Sequence, residues 1–361
     1  MSTQTDTNPS FGLKLQTFLC QATLLGLILA VNIGGILLNL YGSRKYVLVL
    51  YASLRLLTPG GLFGMGKSVD GGSWRFFSET LFFQATVMRK YLELSFAPVP
   101  PELAKAEAQE NAQFVFAAFP HGCNSDFRAL MDGVLGKVLP NLIRRDAVRA
   151  LAASILFKIA IVREFALWTG CIDASRKIAE KALDRNKSLV VLPGGEAEQI
   201  RTTYGKEKVY LSKRKGFIKL AMRKGVPVVP MYVFGSSDGY YTYHDDDEKS
   251  RNKKFDWTFY DLRHKLMKNF GVCIMICSGL WGSYLCPLPK KTTIVFGKPI
   301  YFQPSSNSTD DTGDDAPSSI GFEPTAEELD QGHALFVKEL TALFDAHKTK
   351  LGYGDRTLEV I

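Results

Sequence analysis

The sequence predicts an α/β fold, a mostly parallel sheet flanked by helices, preceded by an N-terminal segment that enters a membrane as a helical hairpin or a single anchor. Three observations carry this. Short apolar runs rich in Val, Ile and Phe recur at 114–119, 188–192, 226–234 and 292–300, each long enough for a strand. Helix-period segments lie between most of them, from about 126 and at 142–160, 173–185 and 215–224, and such alternation marks a parallel sheet covered by helices. Finally, residues 15–41 contain no charged side chain. As a helix the 19–41 portion is about 34 Å long, enough to cross a hydrocarbon core of about 30 Å.

In chain order, 1–14 reads as a polar leader and 15–57 as the anchor or hairpin. The first apolar stretch is too long for a signal-peptide core and lacks a small-x-small cleavage site, so it is expected to stay attached. After Arg44 and Lys45, the shorter run 46–57 is interrupted by Arg55 and reads as a return arm or an interfacial helix. Gly34, Gly35 and Asn39 would permit a helix break, which keeps a re-entrant hairpin beside a single crossing. The glycine-rich stretch 58–73 is a linker, and 74–302 is the α/β domain. Within it, 272–285 is too short and interrupted to cross a membrane and reads as buried domain or a membrane-facing lip. Residues 303–319, with Asp310, Asp311, Asp314 and Asp315, read as a disordered acidic insert. The 320–361 segment forms a last helix packed on the domain. Thr325 and Glu328 make its capping box, Phe336, Leu340, Leu343 and Phe344 line one face, and His333 and His347 fall at its edge.

At 361 residues and 46% hydrophobic, the chain can bury one substantial core. Its net charge of +8 is diffuse and no nucleic-acid-binding signature accompanies it, which excludes nucleic acid and suits an anionic membrane surface or a polyanionic ligand. Cys20, Cys123, Cys171, Cys273, Cys277 and Cys286 show no C-x-x-C and no histidines at ligand spacing, so they read as reduced cysteines and no metal is expected.

The most informative stretch is 114–126, in which an apolar strand runs into Pro120, His121 and Gly122, then Asn124, Ser125 and Asp126 at the mouth of a helix. Parallel α/β proteins keep their chemistry at this edge. Asn124 or Ser125 can cap the helix, and the dipole of its N-terminus would keep His121 neutral near pH 7. Residues five apart on a helix diverge by roughly 140°, so His121 must precede the helix if it is to meet Asp126. There the carboxylate could orient the imidazole, and the imidazole could deprotonate a substrate hydroxyl. A capping Asp and a histidine bonded to a backbone carbonyl is the structural alternative.

Three further constellations matter. Pro193, Gly194, Gly195, Glu196 and Glu198 end the 188–192 strand on the same sheet edge; the acids repel phosphate and suit a neutral alcohol, with Glu196 or Glu198 accepting its hydrogen bond. The alternative is a turn whose acids cap the next helix. Lys213, Arg214 and Lys215 crowd a helix start, where cations are unfavourable unless an anion offsets them. The phosphates of coenzyme A, the carrier of fatty acyl groups, would do so; a solvated basic face is the alternative. The Gly235, Ser237 and Gly239 spacing matches a serine-hydrolase elbow, but no helix pattern follows it.

These segments, with 162–165, Gly170 to Arg176, 214–217, 229–235, 296–299 and 344–348 in order, resemble the type-2 diacylglycerol acyltransferase family, whose relatives also acylate monoacylglycerols and long-chain alcohols. The resemblance covers 114–353 and the N-terminal anchor is similar to the family's hairpin. It implies a glycerolipid acyltransferase-like fold and acyl transfer from acyl-coenzyme A to diacylglycerol, at the cytosolic face of the endoplasmic reticulum and the lipid-droplet surface, with His121 essential. Acyl-coenzyme A is then a substrate and no cofactor is required; a homo-oligomer stays open. Phe119 stands where the family often has a further histidine. His121 and Asp126 fit the H-x-x-x-x-D pattern of the wider glycerolipid acyltransferases, which leaves a lysophospholipid acyltransferase as a rival, although the acidic 193–198 segment disfavours phosphate. The expected site is therefore His121 and Asp126 as base and orienter and backbone N–H groups near Gly122 for the oxyanion. Pro120, Gly194, Gly195, Glu196, Glu198 and Arg176 would contact the acceptor, and Lys213, Arg214 and Lys215 the acyl-coenzyme A. Monoacylglycerol or wax-alcohol acylation, an inactive lipid-binding scaffold and a serine hydrolase are the remaining alternatives.

Overall fold

The computed structural model describes residues 5–40, 45, 49, 52, 53, 73–243, 259–271, 273–304 and 321–361. The strands are β1 (Ser95–Phe96), β2 (Val115–Phe119), β3 (Val148–Ala152), β4 (Cys171–Asp173), β5 (Ser188–Val191), β6 (Glu207–Val209), β7 (Val228–Phe234), β8 (Tyr241–Thr242), β9 (Cys277–Ser278), β10 (Thr293–Phe296) and β11 (Leu358–Val360). Seven form one sheet in the order β1-β10-β7-β2-β5-β3-β4. From β7 to β4 every pairing is parallel, while β10 runs antiparallel to β7 and carries β1 along its outer edge. The sheet is thus mostly parallel, as expected, with a reversed pair at one side.

Residue alternation explains why the central strands are apolar throughout. Val115, Ala117, Phe119, Val191, Tyr232 and Phe234 face one core layer with the helices Arg176–Asp184, Gly216–Lys224 and Ala326–Lys348. Phe116, Ala118, Val190, Met231 and Val233 face the other, with Pro101–Glu107, Asp126–Met131, Pro140–Arg144 and Val162–Trp168. The last helix begins as its sequence signals, with Glu328 and Thr325 exchanging cap hydrogen bonds. His333 is not an edge residue: it is buried and its Nε2 meets the Leu211 carbonyl at 2.9 Å.

The helix expected at 142–160 is replaced by the short helix Pro140–Arg144, then β3, then a 3-10 turn at Ser154–Lys158. Alanine-rich β3 has little intrinsic strand preference, but pairing with β5 and β4 buries it and overrides propensity.

At the N-terminus, helix Phe11–Leu40 runs unbroken through Gly34, so the break that these residues would permit does not occur. Among the described residues it is the one helix long and apolar enough to cross a membrane, and an 18-residue window within 11–34 has a mean hydropathy of 1.8. It does not stand apart from the domain. Asp6 bridges Lys290, the Thr7 hydroxyl donates to the Tyr91 carbonyl at 3.0 Å, Leu13 and Phe18 join an apolar cluster with Tyr91 and Leu280, and Asn32 donates to the Ala160 carbonyl at 3.1 Å. The expected return arm at 46–57, the linker at 58–73 and the insert at 303–319 lie wholly or largely outside the described residues.

Candidate active site

Three adjacent parallel strands, β7, β2 and β5, deliver three loops to their shared C-terminal edge. The chain leaves β2 toward β3 on one side and leaves β5 toward β7 on the other, and such a divergence opens a crevice between loops. The β2 loop carries Pro120, His121 and Gly122, the β5 loop Gly194 to Glu198, and the β7 loop Gly235 to Gly239.

These loops lock together. Both oxygens of buried Glu198 accept backbone N–H groups, Oε1 from His121 at 2.5 Å and Oε2 from Tyr210 at 2.7 Å. A side chain at Gly194 would strike the Glu198 carboxylate, so glycine is needed there for close approach. Gly122 has φ +67°, and an added Cβ would lie 2.6 Å from the Ser236 carbonyl; the Ser236 hydroxyl donates to the Pro120 carbonyl at 3.3 Å. Gln199 on the β5 loop donates to the Cys123 carbonyl at 2.5 Å. The His121 backbone is therefore gripped from both neighbouring loops.

The His121 ring is half-buried, and its Nδ1 lies 3.1 Å from the Gly122 carbonyl. A carbonyl only accepts, so the proton sits on Nδ1 and Nε2 keeps its lone pair. Burial lowers the pKa, opposed by the Gly122 carbonyl. The ring is thus neutral as expected, but through desolvation rather than a helix dipole: the helix Asp126–Met131 has only six residues and begins five positions later.

Other expectations need correction. Among the described residues no hydrogen bond joins Asp126 to His121; the Gly122 carbonyl fixes the tautomer instead. Asp126 lines a cleft with Cys123, Asn124, Ser236, Tyr240 and Lys290, and burial pushes it up to about 6. Neither Asn124 nor Ser125 caps the helix, because Ser125 lies at φ +48° and the Asn124 amide bonds Tyr240 and Tyr284. Glu198, pushed up to about 7 by burial, spends both oxygens on backbone rather than presenting them to an acceptor. Glu196 is half-buried and raised by burial. Arg176 is exposed on the helix after edge strand β4, pairs with Glu180 at 2.8 Å, and does not converge with His121. Lys215 pairs with Asp330 at 2.6 Å, which offsets its charge, and Lys213 is exposed. Arg214 lies beside the β5 loop: its guanidinium stacks on Tyr210 at 5.1 Å and approaches the Gly194 carbonyl. Ser237 is buried and donates to Glu207 at 3.3 Å, so the hydrolase elbow is not built. Phe119 is fully buried against Phe336 at 6.1 Å, a packing residue.

Sequence reasoning missed several neighbours. Arg201 shares the Tyr210 ring with Arg214, at 4.9 Å. Cys123 and Cys277 share a hydrogen bond beside Asp126, and that bond with burial holds the Cys123 thiol well up. Tyr240 and Tyr284 stack at 5.6 Å over Asn124. Only long-range pairing brings these together, so no local pattern announced them.

Residues 77–361 match the family model described as Diacylglycerol acyltransferase. The chain belongs to this family. It is 29% identical over 267 residues to the diacylglycerol O-acyltransferase 1 of Eremothecium gossypii, a match covering 72% of this chain and 52% of that protein. To the diacylglycerol O-acyltransferase 2 of Bos taurus it is 30% identical over 265 residues, covering 68% and 64%. To the human 2-acylglycerol O-acyltransferase 3 it is 30% identical over 273 residues, covering 70% of each. The chain therefore spans about half to two thirds of the length of the first two relatives. The family match contains all three loops of the crevice.

Proposed function

We propose that this protein is an acyl-coenzyme A-dependent O-acyltransferase that esterifies diacylglycerol to triacylglycerol. The observation that carries the proposal is the free Nε2 lone pair of a neutral His121, fixed by Gly122 and Glu198 at the crevice of a family-matched domain. His121 Nε2 takes the proton from the acceptor hydroxyl as its oxygen attacks the thioester carbonyl. Backbone N–H groups of the 122–126 turn receive the oxyanion, and coenzyme A leaves as the thiol with the proton returned by His121. Asp126 faces the cleft where the acceptor hydroxyl would be oriented. Arg201 and Arg214, stacked on Tyr210 beside Gly194, supply the positive surface for the phosphates of coenzyme A.

The helix Phe11–Leu40 anchors the protein in the membrane, which we assign to the endoplasmic reticulum with the domain on its cytosolic face and access to lipid droplets. A second reading, monoacylglycerol as acceptor, is favoured by the identity to the human 2-acylglycerol O-acyltransferase.

Wild type and His121→Ala expressed in a host unable to make neutral storage lipid, supplied with labelled oleate, test this. The expected result is labelled triacylglycerol from wild type and a drop of about a hundred- to ten-thousand-fold in the variant. Label in diacylglycerol alone would move the acceptor to monoacylglycerol, and an equally active variant would remove His121 from the chemistry.

A further inference from the structure

Segment 279–286 forms a tight loop closed on itself. The Gly279 N–H donates to the Ser283 carbonyl at 2.7 Å and the Leu280 N–H to the Cys286 carbonyl at 2.8 Å. At its tip Trp281 adopts φ +55° and ψ +30°, a left-handed conformation that a bulky residue rarely takes. Local strain of this kind persists where surrounding structure fixes it, and here it turns a large ring outward. Trp281 is 52% exposed, yet it rests on the start of the apolar helix, with ring centroids 6.0 Å from Phe11 and 5.6 Å from Phe18.

Three residues on, the same loop touches the opposite partner. Tyr284 donates its hydroxyl to the Asn124 side chain and stacks on Tyr240, whose hydroxyl accepts from the Asn124 amide at 3.0 Å. Asn124 lies between His121 and Asp126. One short loop thus connects the candidate membrane helix to the catalytic turn. Its outer surface is aromatic and apolar: Phe11, Trp281 and Tyr284 are exposed, with Ile274 exposed nearby in sequence. Rings with one polar edge favour the headgroup layer of a bilayer, and this surface continues directly from the helix with exposed Leu15 and Leu19.

We propose that residues 279–286 are a strap that seats Trp281 in the interfacial layer of a lipid bilayer and, through Tyr284 and Asn124, positions the catalytic turn at that layer. An acceptor lipid then reaches His121 without leaving the membrane. The second half of the proposal rests on the acyltransferase reading; the first does not. The strap is separate from the N-terminal span and makes activity sensitive to how the acceptor is presented.

The test uses the full chain in phospholipid vesicles. Tryptophan emission of wild type minus that of Trp281→Phe isolates the Trp281 signal. Lipids brominated just below the headgroup should quench this difference more strongly than lipids brominated near the chain end. No quenching, or stronger quenching by the deeper bromines, overturns the seat in the interface, whether or not the protein shows activity. For the coupling, Tyr284→Phe keeps the ring stack and removes the bond to Asn124. Its activity on vesicle-borne diacylglycerol should fall about fivefold, the equivalent of one ordinary hydrogen bond, with a smaller fall on short-chain diacylglycerol dispersed in detergent. An equal fall on both, or none, overturns the coupling, and an inactive wild type that still shows the quenching difference would count against the acyltransferase reading alone.

Discussion

Glu198 and the Glu207–Asp238 pair are buried acids at the same end of the molecule, and they are satisfied in opposite ways. Glu207 and Asp238 meet a cation: Arg356 Nη1 lies 2.8 Å from each, while Tyr232 and Ser237 donate to Glu207 and the Gly205 N–H donates to Asp238. Glu198 receives two backbone N–H groups, and the charge of Arg214 is the weakest of the influences on it. The first arrangement ties the C-terminal segment, with β11 paired to β6, onto the sheet. The second ties the His121 turn to the neighbouring loop and leaves the Glu198 carboxyl free to change protonation near neutrality. A buried acid paired with arginine holds architecture; one paired with the backbone of the His121 turn links that turn to pH.

The largest effect should come from breaking the cation-paired site. Arg356→Ala leaves two carboxylates buried without their partner, and removing one member of a buried pair costs about 3–5 kcal/mol. Thermal unfolding of the detergent-solubilised protein should show this as a clear fall in midpoint, with activity at low temperature retained by the folded fraction. A loss below about 1 kcal/mol would mean that the two acids share a proton and do not depend on Arg356.

The same contrast explains what was legible in the sequence. His121, Gly122, Gly194 and Glu198 were visible because each ends a strand whose apolar pattern is local, and the capping box at Thr325 was visible for the same reason. The partners were not. The local sequence suggests that Glu198 faces a substrate, since nothing local says that its oxygens find the N–H groups of His121 and Tyr210. Arg149, inside the 142–160 stretch expected to be helical, lies instead on β3 and is fully buried, its guanidinium 2.6 Å from Asp146 and 2.7 Å from the Val148 carbonyl. Arg356 gave no signal, because the acids it neutralises are more than a hundred residues away.

A smaller effect should follow at the backbone-paired site. In Glu198→Gln one side-chain oxygen can still accept, but the amide NH2 then faces the other backbone N–H, and a buried unsatisfied donor costs about 1–3 kcal/mol. Much of that strain falls on the His121 turn, so kcat should drop while KM for acyl-coenzyme A changes little. A variant with wild-type kcat would show that the grip on the His121 N–H is structural only. A variant whose KM alone rises would move Glu198 into the substrate site.

The smallest effect is on pH dependence, and it separates the two sites most directly. Glu198 ionises in the unfolded chain near 4.5 and in the folded protein at about 7, because burial penalises its charge. Between those values the unfolded chain has released the proton that the folded protein still carries, so stability falls as pH rises through this window. The slope from this group is at most about 1.4 kcal/mol per pH unit. His121 contributes oppositely: its depressed pKa means that stability is lost as pH falls below about 6.5. Melting temperature followed across pH 4.5 to 7 should therefore slope downward less steeply in Glu198→Gln than in wild type. The acid limb of kcat should lie below the ordinary histidine value in wild type, since the base form of His121 persists there. Parallel melting curves in the two proteins would mean that Glu198 keeps its charge throughout, and the distinction between the two buried acid sites would then collapse.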